Sequence, residues 1–406
     1  MVRSIAILGS TGSIGRNALR VVESLGPGYS ICALSANSSV ELLAEQARRF
    51  KPKYVAVTDP GCEKRLRELV GELDVEVLGG PGSLVEIAEL AEVDTVLTAV
   101  VGAAGLPAVL AAARKGKRLA IANKEPLVIA GELLLAEAKK GGATILPVDS
   151  EHSAIFQAMQ AGRPNEVAKI ILTASGGPFR DAAPEDIRNV TLEQALAHPT
   201  WDMGPKITID SATMMNKAFE IIEARWLFDV PVDKIEVLIH PESIVHSMVE
   251  FVDGSVVAQL GRPDMCLPIQ YALTYPQRVA GIARAPRLEE IGKLTFKKPD
   301  PQIFRALPLA YQVARAGGTA AVVFNAANEA AVEEFLAGRI KFVNILELVE
   351  HCLDKHDVRT HVSLEELLEA DGWARKEVSA PARRGGLACN GSVQRGANRK
   401  KLDAIR

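Results

Sequence analysis

The residues best suited to chemistry lie at Pro147-Val148-Asp149-Ser150-Glu151-His152, directly after the apolar run from Ala143 to Leu146. If that run is a strand, side chains two apart leave its C-terminal end on one side, so Asp149 and Glu151 face one point. Adjacent carboxylates repel, and a cation between them, a metal or a lysine, relieves the repulsion. The same six residues also suit a solvated loop that caps the next helix. A second group sits on a helix expected from Ser211 to Phe228, where Asn216, Glu220 and Glu223 share one line with Lys217 beside it. Met215, Phe219, Ile222 and Trp226 form an apolar stripe on that helix, and Met214, Ala218 and Ile221 cover much of another face. A narrow charged stripe on an otherwise apolar helix marks a candidate site; its alternative is a surface ion pair between Lys217 and Glu220.

Further stretches could handle anions, cofactor or closure over a ligand. Gly9-Ser10-Thr11-Gly12-Ser13-Ile14-Gly15 follows the apolar run Ser4 to Leu8 and precedes a helical pattern from Asn17 to Leu25. Strand, glycine turn and helix in that order let the backbone approach a pyrophosphate at the positive end of the helix. An NAD site places an acid at the end of the second strand, about 20 residues past the glycines. Here that loop reads Ser35-Ala36-Asn37-Ser38-Ser39, which would not repel a 2'-phosphate and so favours NADPH. Asn123-Lys124-Glu125 falls at the C-terminal end of another strand, where α/β sheets collect ligand groups. Thr173-Ala174-Ser175-Gly176-Gly177-Pro178 is a small-residue turn able to wrap an anion with N–H groups. His198-Pro199-Thr200-Trp201-Asp202-Met203-Gly204 sets large side chains between proline and glycine, as a mobile lid would.

The elements that must position these residues read as α/β. Apolar strands at Tyr29 to Leu34, Tyr54 to Val57, Val75 to Leu78, Thr95 to Val100, Arg118 to Ala122 and Ala143 to Leu146 alternate with helices such as Val40 to Phe50 and Leu127 to Lys140. That alternation predicts a Rossmann-like, doubly wound parallel sheet over 1–148. A central α+β catalytic domain is expected over 149–285, with a lid loop at 198–204, a strand at Val167 to Leu172, another at Ile235 to Ile239, and a hairpin from Ile244 to Leu260 turning at Asp253-Gly254. The sheet of this domain could present an edge or face to a second subunit, and His240 and His246 read as structural. A proline-punctuated linker at 286–301 leads to a small C-terminal helical bundle over 302–376, with helices from Ile303, Thr319, Ile345 and Leu364. The tail 377–406, basic and without apolar period beyond Pro381, reads as disordered.

Composition narrows the function classes. A net charge of -3 over 406 residues supplies no basic field for nucleic acid. Five cysteines without a C-x-x-C spacing suit reduced thiols in the cytoplasm. The first strand begins too close to Met1 for a signal peptide, and no apolar run reaches the ~18 residues of a membrane span.

Seven blocks then occur in order: Gly9-Ser-Thr-Gly-Ser-Ile-Gly15, Asn123-Lys-Glu125, Val148-Asp-Ser-Glu-His152, Ala174-Ser-Gly-Gly-Pro-Phe179, His198-Pro-Thr-Trp-Asp-Met-Gly204, Asp210-Ser-Ala-Thr-Met-Met-Asn-Lys217 and Asn325-Ala-Ala-Asn-Glu329. From Met1 to about Lys376 the chain closely resembles the 1-deoxy-D-xylulose-5-phosphate reductoisomerase family, which makes 2-C-methyl-D-erythritol 4-phosphate for isoprenoids. The resemblance implies NADPH at Thr11, Gly12, Ser13, Ile14, Asn37, Ser38, Ser39, Asn123, Glu125 and Gly204. It implies Mg or Mn on Asp149, Glu151 and Glu220, with Lys124 and these three as the catalytic set. It implies a phosphorylated sugar substrate at Lys124, Ser150, Glu151, Ser175, His198, Ser211, Asn216, Lys217 and Glu220, a lid bearing Trp201 and Met203, and a homodimer. The second-strand loop lacks the basic residue some members carry, and the tail matches nothing in the family. Two other readings remain: a plain NADP-dependent dehydrogenase of a phosphorylated aldehyde or ketone, which would survive chelation, and a non-catalytic nucleotide sensor.

Overall fold

The computed structural model describes residues 3–199 and 203–383. The chain divides into two compact units: Met1–Pro126, Gly131–Gln160 and Leu260–Pro286 form the first, and Leu127–Ala130, Ala161–Gln259 and the chain from Arg287 on form the second.

In the first unit, β1 (Arg3–Leu8), β2 (Tyr29–Ala36), β3 (Tyr54–Val57), β4 (Glu76–Gly79), β5 (Thr95–Thr98), β6 (Arg118–Ile121) and β7 (Thr144–Pro147) make one sheet in the order β4-β3-β2-β1-β5-β6-β7. Every pairing is parallel. Consecutive residues Ile5, Ala6, Ile7 and Leu8 are all buried, so helices cover both faces and the strands show no alternation. The chain leaves β1 toward β2 on one side and resumes at β5 on the other. That reversal opens a crevice beyond the C-terminal ends of β1 and β5.

The core of this unit joins Ile5, Ile7, Leu34, Val55, Leu97 and Leu146 to Cys266, Ile269 and Leu273 of the helix Cys266–Thr274. The boundaries expected at 148 and 285 therefore differ from the observed division. Residues 260–286 return to the parallel sheet, and the helix Ser150–Ala158 stays with it. Eight of the nine residues in Cys266–Thr274 are buried, which leaves no polar face to betray a helix, and Pro268 reads as a breaker.

In the second unit, β8 (Val167–Ala174), β9 (Ile235–Ile239), β10 (Val245–Phe251) and β11 (Val256–Leu260) form a mixed sheet in the order β11-β10-β8-β9. Gly254 closes the hairpin at φ 87°, and Ser255 N–H donates to Asp253 Oδ1 at 2.9 Å. His240 is structural as expected: Nδ1 bonds the Thr295 carbonyl at 2.8 Å, while Nε2 accepts from the N–H groups of Ile244 and Val245 at 3.1 Å. The helices Ala306–Ala316, Thr319–Leu336, Phe342–Lys355 and Leu364–Arg383 complete the unit.

Three expectations need correction here. The helix expected from Ser211 to Phe228 is two helices, Pro205–Ala212 and Met215–Phe228. Between them the Thr213 hydroxyl donates to the Ile209 and Asp210 carbonyls and accepts from Met215 N–H, while Met214 turns left-handed at φ 58°. The stretch 286–301 is not a free linker, because Lys297 exchanges backbone hydrogen bonds with Ile239 of β9 at 2.8 and 3.0 Å. The tail does not start at 377: the last helix runs through Arg383, Val378 is fully buried, and Glu377 meets Lys355 at 2.6 Å and His351 at 3.0 Å. Residues 384–406 and Trp201 lie outside the described residues. Among the described residues no helix is long and apolar enough to cross a membrane.

Cutting the chain after Lys376 removes Val378 from its socket and should cost about 1–3 kcal/mol, lowering the melting midpoint by several degrees. A melt followed by circular dichroism checks this, and an unchanged midpoint would show the end of the helix to be dispensable.

Candidate active site

In the first unit the glycine turn is held open from below. Gly9 N–H donates to Ser35 Oγ at 3.0 Å, Ser10 N–H to the Ser35 carbonyl at 2.8 Å, and Gln46 Nε2 to the Ser10 carbonyl at 2.9 Å. A Cβ on Gly9 would stand 2.6 Å from the Ala99 carbonyl oxygen, and one on Gly15 would stand 2.3 Å from that of Gly9. The turn thus lies close against the end of β5, and Gly12 caps the helix Ser13–Leu25, whose first N–H groups are open to an anion. Asn37, Ser38 and Ser39 are exposed at the end of β2, with Asn37 Oδ1 accepting from Thr58 Oγ1 at 2.8 Å. At the end of β6, Asn123 Oδ1 accepts from Thr98 Oγ1 at 2.9 Å, while its buried Nδ2 has no partner among the described residues. A dinucleotide fits these features: a turn whose Gly9 and Gly15 leave no room for a Cβ, no acid at Asn37 to Ser39, and an unsatisfied amide donor at the crevice.

Beside Asn123, Lys124 Nζ reaches Asp149 Oδ2 at 2.6 Å, both side chains nearly buried. Asp149 is the N-cap of the helix Ser150–Ala158, accepting from Glu151 N–H at 3.3 Å, and carboxylate oxygens of Asp149 and Glu151 lie within 4.8 Å of one another. Their convergence comes from a helix turn and not from strand alternation, since β7 ends at Pro147. Capping and chemistry are therefore not alternatives at Asp149. Burial alone would raise the Asp149 carboxyl, but the Lys124 ammonium and the His152 ring outweigh it and hold the group well below the usual range. His152 is fully buried with Nδ1 3.5 Å from Asp149 Oδ1, and Ser150 Oγ donates to Glu151 Oε2 at 2.6 Å. This pair of carboxylates is a hard-oxygen donor set of the kind Mg and Mn prefer.

The second unit gathers the anion-binding candidates. Gly176 and Gly177, at φ 81° and 62°, turn the chain just after β8. Ser175 Oγ accepts from Gly177 N–H and meets His198 Nε2, both at 3.3 Å. Burial first, then the Arg180 guanidinium, lowers the His198 ring below its ordinary value. A Cβ on Gly177 would stand 2.7 Å from the Ser211 carbonyl oxygen, which seats this turn on the end of the helix Pro205–Ala212. Ser211 thus closes one helix and does not open the next. On the following helix Asn216 Nδ2 donates to Glu220 Oε1 at 2.6 Å and Lys217 Nζ pairs with Glu220 Oε2. Glu220 and Glu223 are each only 1% exposed, which removes the surface ion-pair reading. Gly204 caps the helix Pro205–Ala212, and Met203 is half-buried beside it.

Comparison with known families decides what such a chain is. The 1-deoxy-D-xylulose 5-phosphate reductoisomerase model matches residues 5–131, its C-terminal domain matches 145–228, and the DXP reductoisomerase C-terminal domain matches 260–377. The chain belongs to the 1-deoxy-D-xylulose 5-phosphate reductoisomerase family. The reductoisomerase of Acetivibrio thermocellus is 51% identical over 93% of this chain and 99% of its own length. The solved reductoisomerase of Zymomonas mobilis in complex with NADPH is 43% identical, with a TM-score of 0.89 over 94% of this chain and 99% of that one. A DOX-P reductoisomerase in complex with NADPH, fosmidomycin and magnesium is 44% identical, with a TM-score of 0.88 over 94% of this chain and 98% of that one.

Within this reductoisomerase chain, two contributors carried no role in the sequence reading. His152 stood in a quoted block, and its position three residues past Asp149, on the same helix face, was the available signal. Arg180, which donates to the Ser175 carbonyl at 3.3 Å, had none, because the glycine pair folds it back.

The Lys124 pair predicts an acid response of the metal-free protein. A folded pKa below the unfolded one contributes stability above the unfolded value, and that contribution is lost as pH falls through the folded value. Lys124→Met should raise the Asp149 pKa, shift acid unfolding to higher pH, and lower neutral stability by about 2–4 kcal/mol. Superimposable acid titrations of the two proteins, followed by circular dichroism, would contradict the pairing.

Proposed function

We infer that this chain converts 1-deoxy-D-xylulose 5-phosphate to 2-C-methyl-D-erythritol 4-phosphate by rearrangement and reduction, with NADPH and a divalent cation, Mg or Mn. The observation that carries the reading is family membership across nearly the whole chain, on which every block of candidate residues falls. NADPH would lie on Thr11, Gly12, Ser13, Ile14, Asn37, Ser38, Ser39, Asn123, Glu125 and Gly204, and supplies the reducing equivalent. The cation would be held by Asp149, Glu151 and Glu220, and supplies Lewis acidity to the substrate's carbonyl and neighbouring hydroxyl.

The remaining work falls to side chains. Ser175, His198, Ser211, Asn216 and Lys217 bind the phosphate through hydroxyl, ring, amide and ammonium donors and the N–H groups of the glycine turn. Anchoring the phosphate while Lys124, Ser150, Glu151 and Glu220 hold the other end keeps both pieces in place as one C–C bond breaks and another forms. Lys124 holds the Asp149 carboxyl below its usual range, and Lys217 pairs with Glu220. Closure of the segment bearing Met203 over the bound substrate would exclude water.

The reading extends to a cytoplasmic homodimer. Free thiols at Cys32, Cys62, Cys266 and Cys352 suit a reducing compartment. The edge strand β11 and its hairpin leave Val252 and Val256 69% and 51% exposed, a surface a second copy could cover.

The test is to follow nicotinamide absorbance with 1-deoxy-D-xylulose 5-phosphate, NADPH and Mn. Wild type should turn over and stop on adding EDTA. Glu220→Gln should lose about 10²- to 10³-fold in kcat with NADPH affinity unchanged. Turnover that survives chelation would favour a plain dehydrogenase instead.

A further inference from the structure

We propose that Asp210 and Asn328 form a positioning clamp, through which the helix Thr319–Leu336 fixes the phosphate-binding wall of the second unit without touching the phosphate. The proposal rests on the substrate assignment above and goes beyond it. Asp210 sits on the last turn of Pro205–Ala212, one residue before Ser211, and is 2% exposed. A carboxylate there would repel a phosphate unless its charge were met and its oxygens aimed elsewhere. Both conditions hold: Asp210 Oδ1 accepts from Asn328 Nδ2 at 2.7 Å, and Asp210 Oδ2 pairs with Lys206 Nζ, one turn back, at 2.9 Å.

Asn328 is an odd choice for its surroundings. Sixteen of the eighteen residues of Thr319–Leu336 are buried, most of them alanine and valine, and Asn328 is completely inaccessible. Burying an amide among them costs about 1–3 kcal/mol unless a directed bond compensates. The bond it makes reaches the one helix whose end carries Ser211. Its neighbour Glu329 is held in turn by Arg375 of the last helix, so the clamp is braced from behind.

What the clamp fixes follows from contacts at the end of Pro205–Ala212. The Ser175 turn rests on the Ser211 carbonyl through Gly177, leaving no space for a Cβ. The same carbonyl accepts Met214 N–H at 3.1 Å, and the Met214 carbonyl accepts Ala218 N–H at 3.0 Å to start the helix that bears Asn216 and Lys217. A shift of that last turn therefore moves Ser175, Ser211 and Asn216 together. Asp210 and Asn328 act as positioning residues.

The experiment compares wild type, Asn328→Ala, the milder Asn328→Ser, Asp210→Asn, and the exchanged pair Asp210→Asn with Asn328→Asp. Each is assayed with Mn, NADPH and 1-deoxy-D-xylulose 5-phosphate, with NADPH affinity read by fluorescence. Asn328→Ala and Asn328→Ser should raise KM for the sugar phosphate by about ten- to hundredfold, with kcat within about threefold of wild type and NADPH affinity unchanged. The exchanged pair restores an N–H···O bond of opposite polarity and should recover KM to within about threefold. Single variants that melt lower but keep wild-type KM would reduce the contact to ordinary stability and overturn the clamp, as would an exchanged pair no better than the worse single. A wild-type chain that leaves the sugar phosphate unchanged would overturn the substrate assignment, and the clamp with it.

Discussion

A carboxylate removed from water stays ionised only if a cation or several N–H donors stand against it, and this constraint shapes both units. Transfer of an unpaired carboxylate into the interior costs several kcal/mol even after relaxation. In the first unit Asp149 is met by Lys124, by a helix N-terminus and by His152. In the second, Glu220 is met by Lys217 and Asn216, and Asp210 by Lys206 and Asn328. Each acid thus has a cationic or amide partner supplied by the fold itself. Oxygen donors are what a hard divalent cation requires.

Backbone geometry supplies the rest of the preparation. Parallel strands deliver Gly9, Asn37, Asn123 and Asp149 to one end of a sheet, because every strand in it points the same way. In the second unit the useful residues follow from breaks in regular structure. Paired left-handed glycines after β8 turn Ser175 inward, and a left-handed Met214 splits a long helix so that Ser211 ends one piece while Asn216 and Lys217 begin the next. Left-handed methionine is costly, on the order of 1 kcal/mol, and Thr213 offsets it by bonding the preceding turn.

Most of this was legible in the sequence, for reasons that can be named. All seven strands of the parallel sheet announced themselves as short Val, Ile, Leu and Ala runs, and the glycine turn identified its own place between strand and helix. The family blocks carried the candidate site residues. The split helix was not legible, because Met214 continues the apolar period of its neighbours and the Thr213 bonds that end the first helix are a matter of three dimensions. Nor was the return of Cys266–Thr274 to the first sheet, because an all-round buried helix has no polar face to read. The docking of Lys297 on β9 depends on backbone atoms, which every sequence has, and so left no trace in residue type.

The proposed cation ligands Asp149, Glu151 and Glu220 are the central claim, and the most direct measurement is the anomalous difference density of crystals grown with Mn and NADPH. The expected result is a single Mn peak coordinated by Asp149, Glu151 and Glu220. A peak elsewhere, or one that leaves Glu220 out of the coordination sphere, would contradict it.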